Sequence, residues 1–198
     1  MYVIGLTGNI ATGKSTVCQM LARLGARIID ADQLAHQALE PGSRAWEAVV
    51  ARFGRGVLQP DGQVDRGKLG EVVFADPVAL KELEGIVHPA VIARSLEIMA
   101  RATEPVVVLD AIKLIESGMA QSCDAVWVVT CTPQQQAERL MAGRGLSEEV
   151  AWQRIRAQPR AEEKLEHATV VIDNSGPREE TWKQVREAWE RIAPRKKL

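Results

Sequence analysis

The segment Tyr2-Val-Ile-Gly-Leu-Thr-Gly-Asn-Ile-Ala-Thr-Gly-Lys-Ser-Thr16 decides the fold. Its first six residues are an apolar run of strand length. Gly8 to Ser15 then keep the spacing Gly, four residues, Gly-Lys-Ser. From Ser15 to Leu24 the pattern turns helical, with Val17, Met20, Leu21 and Leu24 on one face. Strand, glycine-rich loop and helix N-terminus in that order are the setting a P-loop requires. A glycine-rich turn that merely caps a helix is the plainer alternative, and the flanking strand and helix argue against it.

The chemistry follows from the shape of a phosphate chain, which needs many N–H donors converging on it with no side chain in the way. Gly8 and Gly13 permit torsions and close approach that a Cβ would block. The N–H groups of Gly8, Asn9, Ile10, Ala11, Thr12, Gly13, Lys14, Ser15 and Thr16, at a helix N-terminus, then form an anion cradle. Lys14 reaches the β- and γ-phosphates of a nucleotide as a point charge, and the Ser15 hydroxyl is placed to ligate Mg²⁺. Lys14 is expected to serve the transition state more than folding.

Gly25 reads as the stop of the first helix, and Arg27-Ile-Ile-Asp30 as a second strand. Asp30 and Asp32 follow at its carboxyl end, where residues face the ligand crevice of a parallel sheet. Either carboxylate could hold Mg²⁺ or orient a hydroxyl and take its proton. The alternative is that one or both cap a helix starting near Gln33. Asp32 is the stronger functional candidate.

From Gln33 to about Thr103 strand signals stop. Leu34–Leu39, Ser43–Phe53, Arg66–Phe74, Pro77–Val87 and Ala90–Ala102 read as helices. An ordinary crossover needs only about a dozen residues, so this excess predicts a substrate-holding insertion. Arg66 either binds a phosphate or opens a solvated helix. His88, before Pro89 at a predicted helix start, either contacts substrate or caps and packs.

Pro105-Val-Val-Val-Leu-Asp110 is a buried strand ending in an acid, the form of a strand whose Asp helps hold Mg²⁺. Lys113 and Glu116 follow near the crevice. Ala125–Cys131 is another apolar strand, as in a sheet covered on both faces. Thr132-Pro133 opens a helix to about Met141 that carries Arg139, and Gly143-Arg144-Gly145 breaks it. Ser147 caps a further helix to about Gln158. Arg139, Arg144, Arg154, Arg156, Arg160 and Lys164 read as an exposed lid that brings cations to a transferring phosphate, or as a surface helix paired with Glu148, Glu149, Glu162 and Glu163. Thr169–Asp173 is the fifth strand. Asn174-Ser-Gly176 is a turn suited to contact an adenine. Arg178–Ile192 is an amphipathic closing helix with Trp182, Val185, Trp189 and Ile192 facing the core, and Arg195-Lys-Lys197 is expected to be disordered.

The 198 residues carry 25 Lys and Arg against 26 Asp and Glu, a net charge of −1 that leaves no electrostatic footprint for nucleic acid or an anionic membrane. Three cysteines without metal-ligand spacing fit a reducing compartment and core packing. With a core strand at the start and no apolar run of membrane-spanning length, a cytoplasmic protein without an obligate partner is expected.

The assembled motifs resemble the dephospho-CoA kinase family along nearly the whole chain. The resemblance rests on Gly5-Leu-Thr-Gly8 through Ser15-Thr16, Ile29-Asp-Ala-Asp32, Asp65-Arg66 with Leu69 and Phe74, Leu83-Glu84 with His88-Pro89, Leu114 with Glu116, Gln136 with Arg139, Gln158, and Ile172-Asp-Asn174 with Gly176. It implies an α/β P-loop NTPase three-layer fold with a five-stranded parallel sheet. The core would span about 1–32, 104–141 and 168–198, with a helical substrate-binding part at about 33–103 and a lid at about 142–167. It implies ATP- and Mg²⁺-dependent phosphorylation of the ribose 3′-hydroxyl of dephospho-CoA. Asp32 would be the base, with Lys14 and Arg139 catalytic. Gly8 to Thr16, Arg144, Asn174 and Gly176 would hold ATP, and Ser15 and Asp110 the metal. Arg66, His88 and Lys113, with Asp32, would bind the acceptor. Two departures stand out: Asn9-Ile-Ala11 where the family more often has Gly-Ile-Gly, and Ala111-Ile-Lys113 where it usually has Pro-Leu-Leu. Another P-loop kinase, for a nucleoside, nucleotide or shikimate-like acceptor, is the alternative. A nucleotide-switched binding protein would need an Asn-Lys-x-Asp motif, and none stands where that fold requires it.

Overall fold

The computed structural model describes residues 1–192, so the Arg195-Lys-Lys197 tail lies outside the described residues. The chain separates into two compact units, one formed by residues 1–29 with the chain from Ala102 onward, the other by Asp30–Arg101.

The first unit holds a five-stranded sheet of order β2-β3-β1-β4-β5. The strands are β1 (Tyr2–Thr7), β2 (Arg27–Asp30), β3 (Val106–Asp110), β4 (Ala125–Thr130) and β5 (Val170–Asp173). The β1–β3, β1–β4 and β4–β5 pairs are parallel. Val106, Val107, Val108, Trp127 and Val129 are all buried, the continuous apolar run of strands covered on both faces. In register, Leu6 pairs with Asp110, so the acid ending β3 stands beside the root of the P-loop on β1. Helices α1 (Lys14–Arg23) and α9 (Arg178–Ile192) pack on this sheet through Val17, Met20, Leu21, Val185 and Ala188. On α9 the innermost residues are Thr181, Val185 and Ala188, with Trp182, Trp189 and Ile192 packed around them.

Between β4 and β5 run α6 (Pro133–Arg144), α7 (Glu148–Arg156) and the short α8 (Ala161–Leu165). Thr132 and Gln135 cap α6 reciprocally. The helix passes through Gly143 and stops only at Gly145, which takes φ 62°. Ala137, Leu140 and Ala151 form a small core with Ile10 and Ala11 of the loop, so α7 is joined to α6 and to the P-loop by apolar packing.

The second unit is helical: α2 (Ala31–Ala38), α3 (Arg44–Phe53), α4 (Arg66–Ala75) and α5 (Pro77–Arg101). Val49, Val57, Val64, Leu69, Val73 and Ala79 are its buried centre. The Asp65 carboxylate caps α4 by accepting from Gly67 and Lys68 N–H at 3.0 and 3.2 Å. The two helices expected around His88-Pro89 are one 25-residue helix with Pro89 inside it. Pro89 removes one helical N–H, yet buried Ala79 on one side and Val91, Ser95 and Met99 on the other hold both halves in place. His88 is therefore mid-helix, not at a helix start. No helix among the described residues is long and apolar enough to cross a membrane.

Gly85, one turn before Pro89, is exposed, and a Cβ there would meet no atom within 4 Å. Gly85→Ala should therefore stabilise the protein by about 0.5–1 kcal/mol, the helix-interior cost of glycine. Chemical denaturation of the two proteins checks this; an unchanged or lower midpoint contradicts it.

Candidate active site

The loop after β1 is held from behind. Gln136 Nε2 donates to the Ile10 carbonyl at 2.8 Å. Arg139 Nη1 donates to the carbonyls of Ala11 and Thr12 at 3.3 and 3.1 Å, and its Nη2 to Asn174 O at 2.8 Å. Asn174 Nδ2 also donates to Thr12 O at 2.8 Å. The Cys131 thiol approaches the Ala11 carbonyl at 3.8 Å. In a planar trans peptide the N–H points opposite to the C=O. Tying the carbonyls of three successive residues turns the N–H groups of Ala11 and Gly13 away from the backing, as an anion cradle requires, while that of Thr12 donates to the Asn9 carbonyl at 3.3 Å.

The glycines are required by this same backing. Gly13 has φ 93°, and a Cβ on it would stand 2.0 Å from Asn174 Nδ2. A Cβ on Gly8 would stand 2.5 Å from the Val129 carbonyl oxygen. Ala11 takes φ 58°, the left-handed region that an L-residue enters at a cost of about 1–2 kcal/mol. Its carbonyl is one of those held by Arg139, which fixes the residue there.

Lys14 Nζ pairs with Asp110 Oδ1, and Cys18, one turn further along α1, donates its thiol to Asp110 Oδ2 at 3.1 Å. The Lys14 and Asp110 side chains are only 14% and 12% exposed. The pair gives Lys14 a role in folding, because removing the ammonium leaves an enclosed carboxylate without its cation. Ser15 is exposed in the first turn of α1. Among the described residues no three His, Cys, Asp or Glu side chains cluster as a metal cage. One carboxylate and one hydroxyl beside a phosphate cradle are the donor set Mg²⁺ uses when phosphates and water supply the rest. Burial, with Asp124 adding to it, pushes the Cys123 thiol up to about 11. Burial also raises Cys131. Both therefore stay protonated at neutral pH, consistent with packing roles.

The Asn174 side chain, in the turn read from the sequence as suited to an adenine, is turned into the protein. It is 7% exposed, and its Oδ1 accepts from Thr181 Oγ1 at 2.9 Å while its Nδ2 holds Thr12 O. Both ends of the amide are thus engaged in the loop's backing. Gly176 is exposed in the following turn, and Gln135 Nε2 holds the neighbouring Ser175 carbonyl at 2.6 Å. Arg144 is exposed at the end of α6. Arg160 lies 3.6 Å from Glu162 with both side chains open to solvent. Lys164, expected in an exposed stretch, is instead 3% exposed. Lys113 is exposed two residues beyond Ala111, in the segment that follows β3.

In the helical unit, the Asp30 side chain accepts from Gln33 N–H at 2.8 Å and caps α2. The helix begins at Ala31, so Asp32 is inside its first turn and the cap belongs to Asp30. Asp32 is half-buried, and His36 follows it one turn along the helix. His36 Nε2 meets Arg66 Nη1. Desolvation, then the Arg66 charge, lower the His36 pKa against the opposing pull of Asp32 and Asp30. A groove of about 410 Å³ beside this pair is lined by His36, Glu40, Gln63 and Arg66. His88 is half-buried within α5.

Sequence reasoning gave Gln136 no role and missed the contacts of Gln158 altogether. Gln158 Oε1 accepts from Ile10 N–H at 2.6 Å, so Ile10 is gripped at its N–H by one glutamine and at its C=O by another. Asn9 Nδ2 reaches the adjacent Pro159 carbonyl at 3.0 Å. The signal for Gln136 was its place three residues before Arg139, one helical turn away and so on the same face of α6.

Asn174→Ala removes two buried hydrogen bonds and is expected to cost about 2 kcal/mol of stability. A denaturant melt reads this directly. Wild-type stability would show that the amide does not brace the loop.

The sequence matches the family model described as "Dephospho-CoA kinase" over residues 2–180. It is 48% identical over 197 residues to the dephospho-CoA kinase of Geobacter sulfurreducens, covering 98% of this chain and 100% of that one. The fold is similar to that of TT1252 from Thermus thermophilus, with a TM-score of 0.86 and 34% identity over 98% of both chains. It is also similar to that of a dephospho-CoA kinase from Campylobacter jejuni, with a TM-score of 0.68 and 29% identity over 96% of both chains.

Proposed function

Because the chain belongs to the dephospho-CoA kinase family, we propose that it transfers the γ-phosphoryl group of ATP to the ribose 3′-hydroxyl of dephospho-CoA, giving coenzyme A and ADP, the last step of coenzyme A biosynthesis. The observation that carries this reading is the match to the family model over residues 2–180, with the braced loop Gly8–Ser15 of this chain inside the matched region.

The residues of this chain divide the work as follows. The loop Gly8 to Thr16 holds the phosphate chain of ATP through backbone N–H groups other than that of Ile10, which Gln158 engages. Lys14 exchanges Asp110 for the β- and γ-phosphates, so the ion pair of the free protein holds the ammonium close to its working position. Ser15 and Asp110 would hold Mg²⁺ with those phosphates, and the ion would spread the charge that develops on the transferring group. Arg139 keeps the loop in its donating form and supplies positive charge behind it. Arg144 belongs to the lid side, and Gly176 lets the nucleotide approach the backbone next to Asn174. On the acceptor side, Arg66, His88 and Lys113 contact dephospho-CoA, and the unit Asp30–Arg101 is its holder.

Asp32 is the proposed base. It follows directly on the carboxyl end of β2, where residues face the crevice of a parallel sheet. The helix cap is supplied by Asp30, so Asp32 is not needed for it. It orients the ribose hydroxyl for in-line attack and takes up its proton as the bond to phosphorus forms.

The test is ADP release measured with dephospho-CoA, adenosine, AMP and shikimate as acceptors. Turnover should be confined to dephospho-CoA, and preferential turnover of another acceptor would overturn the assignment. Asp32→Asn should lose turnover by about a hundredfold or more while keeping its melting temperature, because the amide keeps the size but is a poor proton acceptor. Wild-type turnover in that variant would remove Asp32 from the chemistry.

A further inference from the structure

The run Ala161-Glu-Glu-Lys-Leu-Glu166 has the composition of a solvated helix, yet Lys164 is 97% enclosed, its side chain only 3% exposed. Its ammonium donates to Glu116 Oε1 at 2.7 Å and to the Ile112 carbonyl at 2.9 Å. The same carbonyl accepts from Thr7 Oγ1 at 3.0 Å, and Thr7 is the last residue of β1, directly before Gly8. A single backbone oxygen, two residues after Asp110 and one before Lys113, is therefore held by two donors from different elements. Glu116, the other partner, keeps 36% of its side chain in solvent.

An enclosed lysine is a poor choice for stability alone, since an apolar side chain of similar volume serves a core as well or better. What the ammonium does here that a methyl cannot is grip a carbonyl and a carboxylate at once. Those two groups lie at either end of Ile112–Glu116, and the segment between them carries Lys113. Leu114, fully buried, anchors the middle of the segment, Thr7 holds the Ile112 carbonyl and Ser117 N–H holds that of Lys113 at 2.9 Å, and Lys164 adds the tie between the Ile112 carbonyl and the Glu116 carboxylate.

We propose that Lys164 is a positioning residue for the acceptor. It fixes the Ile112–Glu116 segment against the root of the P-loop so that Lys113 is presented in one conformation. It acts through that segment and does not touch the reacting atoms. The inference rests on the reading above in which Lys113 contacts dephospho-CoA.

The experiment is steady-state kinetics of the full-length enzyme, varying dephospho-CoA and ATP separately, with a thermal melt of each variant. Lys164→Met should raise KM for dephospho-CoA about tenfold, leave KM for ATP within about twofold and change kcat little, the pattern of lost ground-state positioning. Lys164→Arg, which keeps a donor for both partners, should recover most of the loss. Should Lys164→Met fail to fold, Glu116→Gln reports on the same grip from its half-exposed end and should raise the acceptor KM several-fold. A lowered melting temperature with unchanged KM for both substrates would make Lys164 a structural residue only and overturn the proposal. Lys113→Ala separates the two readings. If it raises the acceptor KM and Lys164→Met does not, the positioning role falls while the acceptor site stands. If Lys113→Ala leaves the acceptor KM unchanged, the reading beneath the proposal falls, and the proposal with it.

Discussion

The structure depends on the opposed directions of C=O and N–H in each peptide of the P-loop. An anion site made of backbone requires that successive carbonyls be satisfied on the far side, since a buried unpaired carbonyl costs about 1–3 kcal/mol. Here Gln136, Arg139 and Asn174 satisfy them. Each of these side chains comes from a different turn of chain beyond β4, so the loop takes its working form only when α6 and the turn after β5 are in place. Gly8 and Gly13 are the residues that let this backing approach, which ties the motif's glycines to the packing behind the loop as firmly as to the ligand before it.

Charge is arranged with the same economy. Lys14 and Asp110 neutralise one another in a nearly dry site, and Cys18 holds the second carboxylate oxygen. In the proposed reaction, phosphates would take over Lys14 while Cys18 keeps one Asp110 oxygen fixed. Lys164 and Glu116 repeat the pattern on the neighbouring segment, where the lysine is enclosed and the acid is half in water. The net charge of −1 thus conceals enclosed lysines each set against a carboxylate.

The sheet and the P-loop were legible in the sequence because both rest on local signals. Unbroken apolar runs mark strands covered on both faces, and the glycine spacing marks the turn between β1 and α1. The order of elements along the chain, with Asp110 ending a strand, was legible for the same reason. What escaped was set by partners distant in sequence. Asn174 reads as an exposed turn residue, and only its contacts with Thr12 and Thr181 make it interior. Lys164 reads as solvated among glutamates, and only Ile112 and Glu116 make it buried. His88-Pro89 reads as a helix start because proline has no N–H to donate, yet packing at Ala79, Val91 and Met99 carries α5 through it. Asp30 and Asp32 are one residue apart, and which of them caps α2 is decided by where the helix begins.

The central claim, that carbonyls tied behind the loop create the phosphate site in front of it, is tested most directly away from any residue that could reach a nucleotide. Gln136 is 6% exposed and its amide ends on the Ile10 carbonyl. Calorimetric binding of ADP to Gln136→Met, alongside a thermal melt, isolates the effect. The account predicts a folded protein that binds ADP about tenfold more weakly, a loss of about 1.4 kcal/mol. Wild-type affinity in a folded Gln136→Met variant would contradict it.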